Sequence, residues 1–229
     1  MPEESTERLR GRSRRTPPAA PKRLELEAWS RGLRYVAGVD EVGRGPLAGP
    51  VVAAAVIFPP DVHIPHVTDS KLLRPEEREE LAERIRAEAL AWSVGLAPAP
   101  LIDAINILRA THVAMREAIR SLDPAPEMLL VDGRALPDIE FPQVHVIGGD
   151  RRSFAIAAAS ILAKTHRDRI MEHLDSLYPQ YGFAGHKGYG CQAHLEAIAA
   201  HGPCPVHRLS FSPFTREAQG VLEFGEDED

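Results

Sequence analysis

Apolar residues along this chain form several short continuous runs, and each run predicts a strand. The runs at residues 35–40 and 51–57 are long enough to be buried on both faces, and the Gly/Pro-rich connection between them predicts an antiparallel pair. Shorter runs at 92–97, 127–131 and 144–147 predict three more strands. The sheet is therefore expected to have five strands.

Helical spacing of apolar residues occupies the intervals between and after these runs. A helix is predicted at 75–90, where a proline and two acids form the first turn, and another at 101–122, where one face is apolar. An alanine-rich segment predicts a long helix at 154–177, and a short one is expected at 193–201. Five strands combined with these helices predict an α/β sandwich.

Composition divides the chain into three parts. Residues 1–32 are rich in Arg and Pro and aperiodic, which predicts a disordered basic arm. Residues 33–216 form the predicted ordered domain, whose Gly/Pro-punctuated part at 178–216 is a C-terminal extension. Residues 217–229 carry six acids and neither Lys nor Arg, which predicts a flexible acidic tail.

Several classes of protein are disfavoured by composition. No apolar run approaches the length that crosses a bilayer, and the first thirty residues lack the apolar core of a secretion signal, so no membrane partner is expected. Cys191 and Cys204 do not make a disulfide framework, so the reducing cytoplasm is the expected compartment.

The net charge of −6 disfavours a nucleic-acid partner at first sight, but its distribution weakens that objection. The acidic tail accounts for the whole excess. Residues 142–216 hold eight basic and five acidic residues together with seven of the ten histidines. This stretch can offer phosphates a modest electropositive face.

Four acids lie at predicted element boundaries instead of on solvated faces. Asp40 and Glu41 end the first strand, Asp132 ends the fourth, and Asp150 precedes the long helix. If the first and fourth strands are parallel neighbours, Asp40 and Asp132 lie side by side. Adjacent residues of a strand point to opposite faces, so Asp40 and Glu41 can share a site only if the strand ends there, and Gly43 supplies that break.

Such a cluster of acids repels itself unless divalent cations neutralise it. Carboxylate oxygens suit Mg²⁺ or Mn²⁺, and two such ions about 3.5–4 Å apart promote phosphodiester hydrolysis. Simpler interpretations remain open for single members: Asp132 with the following glycine is a common turn dipeptide, and Asp150 or Ser153 can merely cap the long helix.

Seven separated segments together resemble bacterial ribonuclease HII, the type 2 ribonuclease H family. They are GVDEVGRGPLAGPVVAAAV at 38–56, TDSKLL at 68–73, IDAINILRATHVAM at 102–115, LLVDGR at 129–134, GGDRRSFAIAAASILAKTHRD at 148–168, YGFAGHKGYG at 181–190 and HGPCPVHRLSF at 201–211. The resemblance implies a ribonuclease H-like fold, a five-stranded mixed sheet flanked by helices with a helical C-terminal extension. It also implies a monomer.

The activity that the resemblance implies is endonucleolytic cleavage of the RNA strand of RNA–DNA hybrids. It further implies nicking 5′ to single ribonucleotides embedded in duplex DNA, with two Mg²⁺ or Mn²⁺ ions and with 3′-hydroxyl and 5′-phosphate products. A DNA nuclease of the same superfold or a catalytically silent hybrid-binding module is the alternative, since fold alone excludes neither.

The residues that the resemblance assigns to the site fall into three groups. The metal-binding and catalytic acids are Asp40, Glu41, Asp132 and Asp150. The motif that reads the 2′-hydroxyl is Gly43-Arg44-Gly45, and the substrate-stacking residue is Tyr189. Contacts to backbone phosphates, or roles in ordering the site, are expected for Lys71, Ser153, Lys164 and Lys187.

Two further motifs lie in the last third of the chain. Cys191 with His194 and Cys204 with His207 have the spacing of zinc ligands. No zinc is expected, because much of this stretch matches motifs of a family whose enzymes need none. The segment Gln219–Phe224 resembles the short peptides that dock on replication sliding clamps, which makes such a clamp a possible partner.

Overall fold

The computed structural model describes residues 17–214. Its strands are β1 (Val36–Val42), β2 (Val51–Ile57), β3 (Ala91–Ala97), β4 (Met128–Asp132) and β5 (Gln143–Val146). Its helices are α1 (Arg23–Ser30), α2 (Pro75–Glu88), α3 (Ala99–Ile105), α4 (Ile107–Arg120), α5 (Phe154–Leu177), α6 (Phe183–His186) and α7 (Gln192–His201). Within this range, no helix combines the length and apolar character that crossing a bilayer requires.

The five strands form one mixed sheet in the order β3-β2-β1-β4-β5. β1 is antiparallel to β2 and parallel to β4, and β5 is parallel to β4. The predicted antiparallel pair is confirmed, and β1 and β4 meet the condition under which Asp40 and Asp132 lie side by side. β2 is buried along its whole length, which explains why its sequence is continuously apolar instead of alternating.

Two apolar clusters cover the two faces of the sheet. Val52 and Ala54 belong to the cluster that includes α5 and α2, whereas Ala53 and Ala55 belong to the cluster that includes α4. α5 packs so closely on β1 that a side chain at Gly38 would overlap the backbone of α5. The start of α5 is thereby held close to the strand that carries two of the acids.

The prediction of a single helix at 101–122 is wrong, since the structure has two helices there. Asn106 adopts a φ of 69°, which interrupts the helical hydrogen-bond ladder between α3 and α4. Its side-chain oxygen then accepts a hydrogen bond from the Arg109 N–H (3.1 Å) and caps the start of α4.

The predicted limit of the basic arm at residue 32 also differs from the structure. Helix α1 already packs on the domain, with Glu25 and Ala28 buried. The Glu25 carboxylate accepts hydrogen bonds from the Ser153 hydroxyl (2.5 Å) and the Ala155 N–H (2.9 Å) at the start of α5. Residues 1–16 of the arm, the tail at 217–229 and the clamp-like segment within it lie outside the described residues.

Candidate active site

Three of the four predicted acids meet at one end of the central strands. The parallel register pairs Val39 with Val131, so the next residues, Asp40 and Asp132, lie side by side. Asp40, Glu41 and Asp132 each offer a carboxylate oxygen, and these oxygens all lie within 4.8 Å of one another. Gly43 follows the end of β1 with a φ of 90°, at the predicted break.

Burial and mutual repulsion make this cluster unfavourable as a set of free anions. Burial, followed by the charges of Glu41 and Asp132, raises the pKa of Asp40 well above its ordinary value. Burial also raises the pKa of Glu41, although Arg44 lies 3.1 Å from its carboxylate and acts in the opposite direction. Cations placed among these groups would relieve both penalties.

Backbone donors hold two of the carboxylates in place. The Glu41 N–H donates to Oδ1 of Asp40 (2.7 Å), and the Gly149 N–H donates to Oδ1 of Asp132 (2.6 Å). Three carboxylate oxygens at this spacing, two of them on carboxylates held by backbone donors, fit Mg²⁺ or Mn²⁺, which prefer hard oxygen ligands. The residues present therefore match the class of metal that the sequence analysis predicts.

The fourth predicted acid, Asp150, lies beside this group and is not a member of it. It is buried in the single turn of 3₁₀ helix that precedes α5, and its carboxylate lies 3.9 Å from the Arg151 guanidinium. Burial, then the charges of Asp69 and Asp132, raise its pKa. Its electrostatic coupling to Asp132 places it at the margin of the acidic cluster.

The predicted recognition residues lie together at the same end of the sheet. Arg44 reaches back to Glu41, which joins the Gly-Arg-Gly motif to the acids. A methyl group at Gly45 would lie 3.7 Å from Cε1 of Tyr189. Tyr189 is 48 % exposed, so part of its side chain is accessible to a ligand. The acids, the motif and the tyrosine thus form one continuous surface.

Two of the four predicted accessory residues lie close to the acids. Lys71 is exposed and acts to lower the pKa of Asp150, which makes it available to a phosphate near that acid. Ser153 is fully buried, accepts a hydrogen bond from the Ile156 N–H (3.1 Å) and caps α5. Of its two predicted roles, the structure favours ordering the site over touching the substrate.

The other two accessory lysines are engaged in ion pairs. Lys164 lies 2.6 Å from Asp168 within α5, and Lys187 lies 2.7 Å from Glu172. Lys187 precedes Tyr189 by two residues, so in sequence it lies nearer to the predicted stacking residue than Lys164 does. Their expected phosphate contacts stay predictions.

The residues of the possible zinc motif are arranged around a buried histidine pair. Nε2 of His194 lies 3.1 Å from Nε2 of His207, and Nδ1 of His194 lies 2.9 Å from the Tyr189 carbonyl oxygen. Nδ1 of His207 accepts from the Cys204 N–H (2.9 Å), whereas Cys191 is exposed. Both ring nitrogens of each histidine are thus occupied by protein groups, and the pair supports the segment that carries Tyr189.

A sequence model of the ribonuclease HII family matches residues 37–214. The chain belongs to the ribonuclease HII family. A ribonuclease HII from Syntrophomonas wolfei is 50% identical over 205 residues, which cover 90% of this chain and 80% of the relative.

Two solved structures support the same fold. The ribonuclease H2 of Pyrococcus horikoshii superposes with a TM-score of 0.66 at 27% identity and covers 80% of this chain and 97% of its own. A ribonuclease HII of Archaeoglobus fulgidus, solved in a complex with PCNA, has a TM-score of 0.64 at 28% identity and covers 77% of this chain and 95% of its own.

Sequence reasoning missed two residues beside this ribonuclease HII site, Arg167 and Arg208. Both are fully buried and donate to backbone carbonyls around the recognition motif. Each lies inside a segment that resembles the family, but an arginine in sequence is expected at the surface, so nothing local indicated its burial.

Proposed function

We propose that this chain, as an endoribonuclease of the ribonuclease HII family, nicks duplex DNA 5′ to a single embedded ribonucleotide as well as cutting the RNA strand of hybrids. The proposed reaction is metal-assisted hydrolysis that leaves a 3′-hydroxyl and a 5′-phosphate. The observation that carries this proposal is the meeting of three carboxylate oxygens within 4.8 Å of one another beside the Gly-Arg-Gly motif.

Asp40, Glu41 and Asp132 would hold the divalent cations, with Asp150 at the margin as the fourth acid. When bound, Mg²⁺ or Mn²⁺ supplies an activated water and stabilises charge on the leaving oxygen. The buried carboxylate of Asp40 and the N–H groups that orient Asp40 and Asp132 keep these ligands in position before substrate arrives.

Recognition of the ribonucleotide would come from the backbone of residues 43–45 and from Tyr189. Only the 2′-hydroxyl distinguishes RNA from DNA at one nucleotide, and a motif without side chains at Gly43 and Gly45 lets backbone groups approach that hydroxyl. Arg44 can leave Glu41 to hold a phosphate, and the half-exposed ring of Tyr189 can stack on the sugar or base.

The test is cleavage of a duplex that contains one ribonucleotide, with the all-DNA duplex of the same sequence as a second substrate. We expect one nick 5′ to the ribonucleotide with Mg²⁺ or Mn²⁺, and none after chelation. Asp132→Asn should lower kcat by about 100-fold or more, because metal stabilisation of transition-state charge contributes several kcal/mol. The exposed Asp61→Asn is the matched control. Cleavage of the all-DNA duplex would favour a DNA nuclease, and binding without cleavage a silent module.

We further propose that the segment Gln219–Phe224 docks on a replication sliding clamp. The support is its resemblance to clamp-binding peptides together with the PCNA complex of the Archaeoglobus fulgidus relative. Deleting residues 217–229 should weaken binding to the clamp and leave cleavage of short duplexes unchanged. Equal clamp affinity with and without the segment would contradict the proposal.

A further inference from the structure

Two fully buried arginines lie beneath the Gly-Arg-Gly motif. Arg167 belongs to α5, and Arg208 follows the C-terminal helices. Within residues 17–214, neither guanidinium forms an ion pair with a carboxylate. Burial lowers the pKa of Arg208 to about 9 and that of Arg167 to about 10, so both groups stay charged at neutral pH. A buried charge without a counter-ion is costly, so its hydrogen bonds must compensate for it.

Arg208 directs its donors at the connection between β1 and β2. Its Nη2 donates to the carbonyl oxygens of Gly43 (2.6 Å) and Gly49 (2.8 Å), its Nη1 to that of Arg44 (3.0 Å), and its Nε to that of Gly49 (3.0 Å). Two of its three acceptors belong to the Gly-Arg-Gly motif itself. The guanidinium therefore fixes where the peptide groups of this motif point.

Arg167 joins the same connection to the segment that carries Tyr189. It donates to the carbonyl oxygens of Pro50 (3.0 Å) and Ala48 (3.1 Å), and through Nη1 to that of Lys187 (3.0 Å). A side chain at Gly43 would overlap Arg167, so the motif rests directly on this guanidinium. The Arg167 guanidinium thus sets the distance between the connection from β1 to β2, which carries the Gly-Arg-Gly motif, and the segment that carries Tyr189.

Backbone hydrogen bonds complete the same unit. The Leu47 N–H donates to the Gly188 carbonyl (2.8 Å), and the Leu47 carbonyl accepts from the Arg208 N–H (2.8 Å). The Gly49 N–H donates to the Val206 carbonyl (2.9 Å). The connection between β1 and β2, the Tyr189 segment and the segment around Arg208 therefore contact one another through main-chain groups as well.

We propose that Arg167 and Arg208 are positioning residues for ribonucleotide recognition, which hold the backbone of residues 43–45 at a set distance from Tyr189. This inference rests on the proposed reading of the 2′-hydroxyl by that backbone. Lysine keeps the positive charge but cannot donate to several carbonyl oxygens in one plane. An Arg→Lys substitution therefore tests the hydrogen-bond geometry of the guanidinium while leaving the charge in place. Neither arginine touches the substrate in this account.

The experiment compares Arg208→Lys and Arg167→Lys with the wild type and with Ile85→Val, a core control in α2. Binding to the duplex with one ribonucleotide and to the all-DNA duplex is measured with Ca²⁺ in place of Mg²⁺. We expect the preference for the ribonucleotide to fall about 10–100-fold in both lysine variants, because a displacement of about 1 Å can cost about 100-fold. The control should keep the preference, and all four proteins should keep the same Mn²⁺ affinity.

Unchanged preference in the two folded lysine variants would overturn this inference while leaving the proposed function intact. No preference in the wild type would instead overturn the proposed reading of the 2′-hydroxyl. Hydrogen exchange of the wild type supplies a test that needs no variant. The amides of Leu47, Gly49 and Arg208 should exchange with one common opening free energy, and clearly different opening free energies would contradict a single positioned unit.

Discussion

The buried carboxylate of Glu25 gives the sharpest test of how the start of α5 is held. Glu25 is 1% exposed, and its Oε1 accepts from the Ser153 hydroxyl and the Ala155 N–H. A carboxylate at the N-terminus of a 24-residue helix is also favoured by the helix dipole. Glu25→Ala would leave both donors buried without an acceptor.

The loss of unfolding free energy that we expect for Glu25→Ala follows from these contacts. A hydrogen bond to a charged group contributes about 1.5–3 kcal/mol, so two of them contribute about 3–6 kcal/mol. The second oxygen, Oε2 of Glu25, is buried and has no hydrogen-bond partner within residues 17–214, and removing that penalty returns about 1–2 kcal/mol. Glu25→Ala should therefore destabilise the fold by about 1–5 kcal/mol, or lower Tm by about 2–20 °C.

The assay is urea unfolding at neutral pH with thermal melting as a second probe. Glu27→Ala is the matched control, since Glu27 is exposed on the same helix and forms an ion pair with the exposed Arg31, a contact that contributes less than about 1 kcal/mol. Glu25→Gln should recover part of the loss, because its amide oxygen can still accept. Equal stability of Glu25→Ala and Glu27→Ala would mean that the Glu25 carboxylate does not hold the start of α5.

Three further predictions concern the metal site, the stacking residue and a helix boundary. Raised folded-state pKa values at Asp40, Glu41 and Asp150 mean that the metal-free fold binds protons more tightly than the unfolded chain. Their contribution to the unfolding free energy should therefore be largest below pH of about 4 and decrease as pH rises through the raised values. Saturating Mn²⁺ should remove this decrease in melts with and without chelator. Tyr189→Ala should lower kcat/KM about 10–100-fold in steady-state cleavage, because stacking contributes about 1–3 kcal/mol. Tyr189→Phe keeps the ring and should change kcat/KM little. Equal effects of the two substitutions would contradict stacking. Asn106→Ala should cost about 1–2 kcal/mol in urea unfolding through loss of the α4 cap, and a neutral result would contradict that role.

The centre of the fold and of the site could be predicted because its signals are local. Continuous apolar runs identify β1 and β2. Asp40 and Asp132 follow apolar runs directly in the sequence, so the position of each acid at a strand end can be seen within a few residues. Placing these acids side by side needed only one assumption about topology, which the register of Val39 with Val131 confirms.

The features that sequence reasoning missed depend on contacts between distant parts of the chain. Glu25 becomes buried only because it meets Ser153, 128 residues later, so an Arg/Pro-rich segment gave no sign of a packed helix. Arg208 likewise finds its acceptors at Gly43, 165 residues earlier. At Asn106 the helical periodicity continues across the break, so only backbone geometry reveals that the helix restarts.

The most direct test of the metal-assisted mechanism is the position of bound Mn²⁺ in crystals, read from anomalous scattering. We expect a peak that is coordinated by Asp40, Glu41 and Asp132, and loss of that peak in Asp132→Asn crystals. Manganese bound elsewhere, for example at His194 and His207, with none at the three acids under saturating conditions, would contradict it.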